Sequence, residues 1–464
     1  MLSSQAKVHS RLTNKLTKRA FYNGAEITKV NRDFYSANSP FEQTAGSERD
    51  ILRARARWLH ENNPIIANID DSFINNVIGT GITLQSITGD TNLDTEIEKR
   101  FKIWSKAVNC DIACISSFAE QQAQVFANRM TDGEIYIYKT VGKDRQLKLQ
   151  LIEADALYMF SGGNGITYND VGKPLSYQFE DKNRKVVTIP AENIINYFKK
   201  ERPTQQRGIS EYKQAIIDIK NFSAYQSSTV QNARANADIA YTVETDRDPH
   251  DFNVKSSDDE ELHDINGLMV YYLKAGEKIN KHQNTTGGSG YGDFISTTIR
   301  TIASARKISY ELAFRDYSKV NFASSRASII QDNKRFDSEQ KHLTEHFLND
   351  IFESWLEVEV FNGTLPISPT KWAENKNDFI SVKWSYPKRF LVDPLKEVNA
   401  LEKEIKLNLT TMTDACASVG GDFEEILMTK KKEAELMATY GILTPFEEGV
   451  ALKEAGISNT GESE

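Results

Sequence analysis

Apolar residues recur along this chain with a helical period in some stretches and a strand period in others. Residues 1–45 are rich in Ser, Asn and Thr and keep neither period, so a flexible N-terminal arm is expected there. Ser47 and Asp50 then make a capping pair for a helix running through Leu59. Asn63-Pro64 breaks and restarts helix, since proline suits a first helical position. Ile66, Ile69, Phe73 and Val77 give that second helix an apolar face. Gly79 and Gly81 end it before a short strand at 82–84. Leu93, Ile97, Phe101 and Trp104 mark a third amphipathic helix, and Phe118, Val125, Phe126 and Met130 a fourth.

From 134 to 200 the content turns to β. Ile135–Tyr138 and Leu147–Leu151 read as strands, and a turn at Asn169–Lys173 joins 165–168 to 175–179 as a hairpin. Val186–Ile189 and Ile194–Phe198 follow, on either side of a turn at Pro190–Asn193. Ser210 opens a long helical stretch reaching Ala240, but only its first turns carry an apolar stripe, Tyr212, Ile216 and Ile219. The remainder is small and polar, so it must pack closely against something or bridge through solvent. Residues 244–266 are acidic and irregular, Leu268–Leu273 reads as a strand, and 285–292 as a flexible run. Helix resumes near Phe294 with Ile295, Ile299, Ile302 and Leu312, and breaks at 315–321. The longest helix, Ser324–Val360, is striped by Phe336, Leu343, Phe347, Ile351, Trp355 and Val358. Phe379–Trp384 reads as a strand. From Leu395 the chain is helical and strongly charged, with breaks at Gly420-Gly421 and Gly441. The fold class expected from this pattern is α+β and helix-rich.

A chain of 464 residues exceeds one ordinary compact core, so two or more lobes are expected. No stretch approaches the ~18–20 uninterrupted apolar residues of a membrane span. Met1–Tyr22 is polar and basic, unlike a secretory signal. Cys110, Cys114 and Cys416 cannot frame a disulfide network, which fits synthesis in a reducing cytosol, and they read as structural thiols. The net charge of -8 argues against a simple high-affinity DNA binder. Its distribution is uneven: residues 1–60 hold 11 basic and 5 acidic residues, whereas 244–264 hold 2 and 9.

Candidate chemistry is sparse. His342-Leu343-Thr344-Glu345-His346 matches the pattern of inverted zinc peptidases, and His342 and His346, one turn apart, could share a metal. The stripe turns Leu343 and Phe347 inward, which leaves both histidines at its flank, and no third ligand stands out downstream. Gly287–Gly292 lacks the Gly-Lys-Ser/Thr ending of a phosphate loop. Asp70-Asp71 would diverge around a helix rather than converge on one metal. Arg53, Arg55 and Arg57 alternate with Ala over nearly half a helix circumference, as a solvated face or a basic interface. Nothing in this set points to catalysis, a resident metal or a cofactor.

A series of phrases runs through most of the chain in a particular order. Arg53-Ala54-Arg55-Ala56-Arg57 precedes Asn62-Asn63-Pro64, followed by Asn76–Ile82, Glu201-Arg202-Pro203 and Gln206–Ser210. Arg315-Asp316-Tyr317-Ser318 and Asn321–Ala327 come next, then Trp384 leading into Val392–Glu397. In content, order and spacing over roughly 45–440 this resembles the portal protein of lambda-type tailed bacteriophages. The resemblance implies a closed homo-oligomeric ring, typically a dodecamer, at one capsid vertex.

On that resemblance the chain divides into a flexible arm (1–45), a wing (46–208), a first stem helix (209–242) and a clip (243–292). A second stem helix (293–313), a tunnel loop (314–323), a long wing helix with a return strand (324–391), and crown helices with a tail (392–464) would follow. Arg315, Tyr317, Ser318, Lys319 and Asn321 would face DNA in the channel. Asp258, Asp259, Glu260 and Glu261 in the clip would dock the packaging motor. Arg53, Arg55 and Arg57 would lie at a subunit interface or face DNA. The implied partners are further copies of the chain, double-stranded DNA held without sequence readout, the terminase large subunit, major capsid and scaffold proteins, and a head-completion adaptor. The place of action would be the virion, after assembly in the host cytoplasm. The rival classes are a zinc metallopeptidase using His342, Glu345 and His346, and a small-oligomer DNA-binding scaffold.

Overall fold

The computed structural model describes residues 38–46, 48–158, 164–243, 263–265, 268–272, 291–318, 321–388, 394–418, 421 and 423–440. The chain divides into two compact units, one formed by residues up to 48 with 201–206 and the other by the rest. In the smaller unit the sequence suggested a loose arm, but Phe41–Ala45 is a short helix, α1. The backbone N–H of Gln206 donates to Glu42 at 2.9 Å, Arg202 donates to the Ser39 carbonyl at 3.1 Å, and the Arg202 guanidinium lies 5.8 Å from the Phe41 ring centroid. Ser47, expected to help cap the next helix, lies outside the described residues.

The larger unit opens with α2 (Arg49–Asn62) and α3 (Pro64–Val77). Asn63 separates them: its side chain accepts from the N–H groups of Ile65 and Ile66 while Pro64 takes the first helical position. Strand β1 (Thr83–Ser86), α4 (Thr91–Trp104) and the single turn α5 (Ala107–Cys110) follow. Next is α6 (Phe118–Asp132), which begins with a complete capping box between Ser117 and Glu120. The apolar faces expected on α3, α4 and α6 are all buried.

The β region contains β2 (Glu134–Val141), β3 (Leu147–Glu153), β4 (Ile166–Tyr168), β5 (Pro174–Glu180), β6 (Val186–Pro190) and β7 (Ile194–Phe198). It forms two antiparallel three-stranded sheets, ordered β3-β2-β7 and β4-β5-β6. Between them Tyr136, Leu157, Tyr177 and Phe179 belong to a small second core.

Helix α7 (Ile216–Asp238) starts later than the sequence suggested, because Glu211–Ala215 form turns. It is buried through Ile216, Ile219 and Phe222, and its middle turns are polar and largely exposed, as the fading stripe implied. Rather than continuing as helix past 238, the chain enters β8 (Ile239–Val243), parallel to β10 (Leu268–Tyr272), which in turn pairs antiparallel with β9 (His263–Ile265).

Helix α8 (Tyr291–Arg306) packs beside α7, with the rings of Tyr225 and Phe294 4.4 Å apart. The sequence carried this helix on to Leu312. Instead Lys307 adopts a positive φ, and a separate five-residue helix, α9 (Tyr310–Phe314), follows.

The longest helix is α10 (Phe322–Leu343), a π turn at 344–348, and α11 (Asn349–Phe361). Leu343, Phe347, Ile351 and Trp355 repeat every four residues, and in a regular helix such a row drifts by about 40° per step. The π turn takes up extra backbone there and keeps the row facing inward. Residues 369–379 form α12 (Pro369–Phe379), so the strand expected at 379–384 is confined to its later part, β11 (Val382–Ser385), paired antiparallel with β1. Three helices close the described chain, α13 (Pro394–Lys406), α14 (Met412–Ser418) and α15 (Phe423–Thr439), with one more break, at 407–411, than the glycines indicated.

The main core runs from Ala56 on α2 to Trp384 on β11. Its aromatic centre is Phe101, whose ring meets Trp104, Phe118, Phe352, Trp355 and Trp384 at centroid distances of 5.0–6.1 Å.

Candidate functional site

The segment after Arg207 is threaded through a narrow gap in the core. Gly133 ends α6 at φ 95°, and a Cβ there would lie 2.3 Å from the Ile209 carbonyl carbon. A Cβ on Gly208 would lie 2.0 Å from the Gly133 carbonyl oxygen. Two facing glycines therefore let the backbones touch. Buried Glu134 fixes the crossing, accepting from Arg207 Nε at 2.8 Å and from the Gly208 N–H at 2.9 Å.

The threaded segment delivers Glu211 into a charged cluster assembled from distant parts of the chain. Arg129 lies on the buried face of α6, Arg306 ends α8, and Arg335 and Glu339 stand one turn apart on α10. Arg129 pairs with Glu211 and, at 2.5 Å, with Glu339. Arg306 reaches Glu211 at 3.0 Å and Asp70 at 3.6 Å, and Arg335 reaches Glu211 at 3.2 Å. Lys199, just after β7, lies 2.7 Å from Glu339. The guanidiniums also lie over rings: Arg306 is 4.5 Å from the centroid of Tyr212, and Arg129 is 5.0 Å from that of Phe126. Burial by itself would raise the Glu211 pKa, but Arg129, Arg306 and Arg335 reverse this and hold its carboxyl well below the usual range. Asp70 extends the cluster, accepting from the Tyr212 hydroxyl and lying 2.7 Å from His60 Nδ1.

Beside this cluster the chain turns a corner at 315–318. Ser309 caps α9, and Arg315 closes it in the left-handed conformation at φ 55°. Within the corner Asp316 accepts from the Ser318 N–H at 3.0 Å and from its hydroxyl at 2.6 Å. Asn321 caps α10 by accepting from the Ser324 N–H at 2.8 Å. Of the residues expected to face DNA, Arg315, Tyr317, Ser318 and Asn321 are exposed, while Lys319 lies outside the described residues. Asp258, Asp259, Glu260 and Glu261 also lie outside them.

The three arginines of α2 do not form one face. Arg53 is buried, bound to Asp50 at 2.5 Å and Asp155 at 2.7 Å. Arg57 holds buried Asp132 at 2.5 Å and also pairs with Asp155. Arg55 alone is exposed. The alternation with alanine reads as a solvated stripe, but besides Asp50 on α2 itself the acidic partners Asp132 and Asp155 come from the end of α6 and the segment after β3, which spacing along α2 cannot show.

The two histidines of the peptidase-like motif have their rings 4.6 Å apart. His342 Nδ1 is 3.2 Å from the Tyr197 hydroxyl, and burial, with Arg129 and His346, lowers the His342 pKa to about 4. Glu345 and His346 are exposed, and among the described residues no three His, Cys, Asp or Glu side chains converge on one point. Cys110 is buried, whereas Cys114 is exposed on a turn with φ 58°. Among the described residues no helix is long and apolar enough to cross a membrane.

Sequence reasoning missed the buried cluster almost entirely. Its one local trace is the Arg335–Glu339 pair at i,i+4, a spacing that more often marks an exposed helix face.

Residues 28–340 match the family described as phage portal protein, lambda family. The chain is 24% identical over 448 residues to a probable portal protein of Halomonas phage phiHAP-1, covering 89% of this chain and 85% of that one. It is 24% identical over 337 residues to portal protein B of Escherichia phage lambda, covering 65% of this chain and 63%, under two thirds, of the relative. Among solved structures, a chain from the neck of an empty GTA particle aligns at a TM-score of 0.42 and 10% identity, over 81% of this chain and 94% of that one. With the family match spanning residues 28–340, the chain belongs to the lambda family of phage portal proteins.

Proposed function

We propose that this chain assembles into a closed ring of identical subunits, a dodecamer, at one vertex of a phage-type capsid. The ring is the channel through which double-stranded DNA is packaged and later ejected. The observation that carries this reading is the corner at 315–318, with Arg315, Tyr317 and Ser318 exposed, in a chain that belongs to the portal family. Arg315, Tyr317, Ser318, Lys319 and Asn321 line the channel and touch phosphates, which position DNA without reading its sequence. The chain's net charge of -8 keeps that hold weak, as a moving polyanion requires.

In this reading 46–208 and 324–391 form the wing, 209–242 and 293–313, which hold α7 and most of α8, the stem, 243–292 the clip and the residues from 392 the crown. A ring repeats the same two surfaces at every joint, so the polar, small-residue turns of α7 pack against neighbouring copies. The acidic clip residues Asp258, Asp259, Glu260 and Glu261 steer the terminase large subunit and then the head-completion adaptor into place. Major capsid and scaffold proteins surround the wing. The chain acts as a conduit, and ATP hydrolysis belongs to the motor.

Negative-stain imaging of the purified chain, with its mass by light scattering, tests the proposal. Rings with a central hole and a mass of about twelve subunits are expected. A strict dimer that binds DNA with a steep salt dependence would favour the scaffold reading instead.

A further inference from the structure

We infer that Asn68 and Asp332 are positioning residues for the channel corner, a reading that rests on the portal function proposed above. Together they fix α9 to the wing core, so that the exposed segment 315–318 is carried by the wing and not by the stem.

The argument begins with the length of α9. Five residues are too few to hold a helix by their own hydrogen bonds. Each end is instead tied by a side chain from a longer helix. At the N-terminal end Asp332 of α10 accepts from the Ser309 N–H at 2.8 Å and from its hydroxyl at 2.6 Å. At the C-terminal end the Asn68 amide of α3 donates to the carbonyls of Leu312 at 3.2 Å and Ala313 at 2.9 Å. These are carbonyls that the helix itself leaves without a partner. Asp332 is buried, and the two anchoring helices are locked together by the edge-on rings of Phe73 and Phe336, 5.4 Å apart. On the stem side Arg300 of α8 lies 5.1 Å from the centroid of the Tyr310 ring. Lys307 at φ 60° interrupts the helix between α8 and α9, so no continuous ladder of hydrogen bonds passes from stem to corner.

The test places a nitroxide label at Tyr317→Cys in the full-length ring, with Cys114 and Cys416 changed to Ser. A second label at exposed Ile115→Cys reports general loosening of the core. Asn68→Asp keeps the shape but removes both donated hydrogen bonds, and Asp332→Ala removes the other anchor. In either variant the label at 317 is expected to tumble roughly threefold faster, as a locally released segment does. The label at 115 is expected to stay unchanged, and rings to persist. Asp332→Asn, which keeps one acceptor for the Ser309 N–H, should restore part of the restraint. An unchanged label at 317, or equal loosening at both positions, overturns the inference. So does a loosened corner with no change in the DNA retained by particles carrying the variant. Failure of the parent chain to form rings would instead overturn the portal reading, while the label comparison still decides whether the two residues anchor the corner.

Discussion

Single residues in this chain are governed by partners far away in sequence. Glu211 shows the consequence most directly, because three arginines from three helices converge on it. Glu211→Gln would strand those guanidiniums in the core and is expected to cost about 3–5 kcal/mol at neutral pH, read from the urea midpoint. The folded carboxyl is depressed, so its contribution is present above the ordinary value of 4.5 and is lost as pH falls below it. The parent chain should therefore lose stability on acidification over that range, and the Gln variant should show a flatter profile. An equally steep profile in the variant would assign the acid transition to other groups. None of this was legible beforehand, since Glu211, Arg129 and Arg306 share no local motif. The triplet Arg53, Arg55 and Arg57 was conspicuous for its spacing, yet Arg53 is buried and Arg57 half-buried in ion pairs, while Arg55 is exposed.

Elements were easier to read than residues, wherever an apolar stripe was strong. The row of Leu343, Phe347, Ile351 and Trp355 located the longest helix, although not the π turn that its four-residue spacing requires. Helix α12 was missed because it buries only Trp372, too little to make a stripe. The pairing of β1 with β11 joins residues about 300 positions apart, a choice that local pattern does not encode. Phe101 is where several of these elements meet, α4 with α6, α11 and β11. Phe101→Ala is expected to cost about 3–5 kcal/mol in thermal or urea unfolding. A loss below about 1 kcal/mol would mean that the surrounding rings collapse into the space.

On the scale of the whole molecule, the family was visible in dispersed phrases, several of which acquire a structural reason. Gln206–Ser210 holds the glycine that crosses Gly133, and Asn62-Asn63-Pro64 is the cap between α2 and α3. The function proposed for 315–321 can be separated from assembly. Lys319→Ala combined with Tyr317→Ala should leave ring mass unchanged and reduce DNA packaging or retention. Rings that fall apart in that variant would place these residues at a subunit joint instead.

The ion pair between Arg306 and Glu211 has a topological meaning as well as an energetic one. Glu211 stands just before α7 and Arg306 ends α8, and the 3.0 Å contact holds the two points together. The 94 residues between them thus form an excursion whose ends never have to search for each other. Because both ends of that stretch are also packed into the main core, through Tyr212, Ile216 and Ile219 on one side and Ile302 and Ala303 on the other, a change of length between them costs the body that bears it little closure entropy.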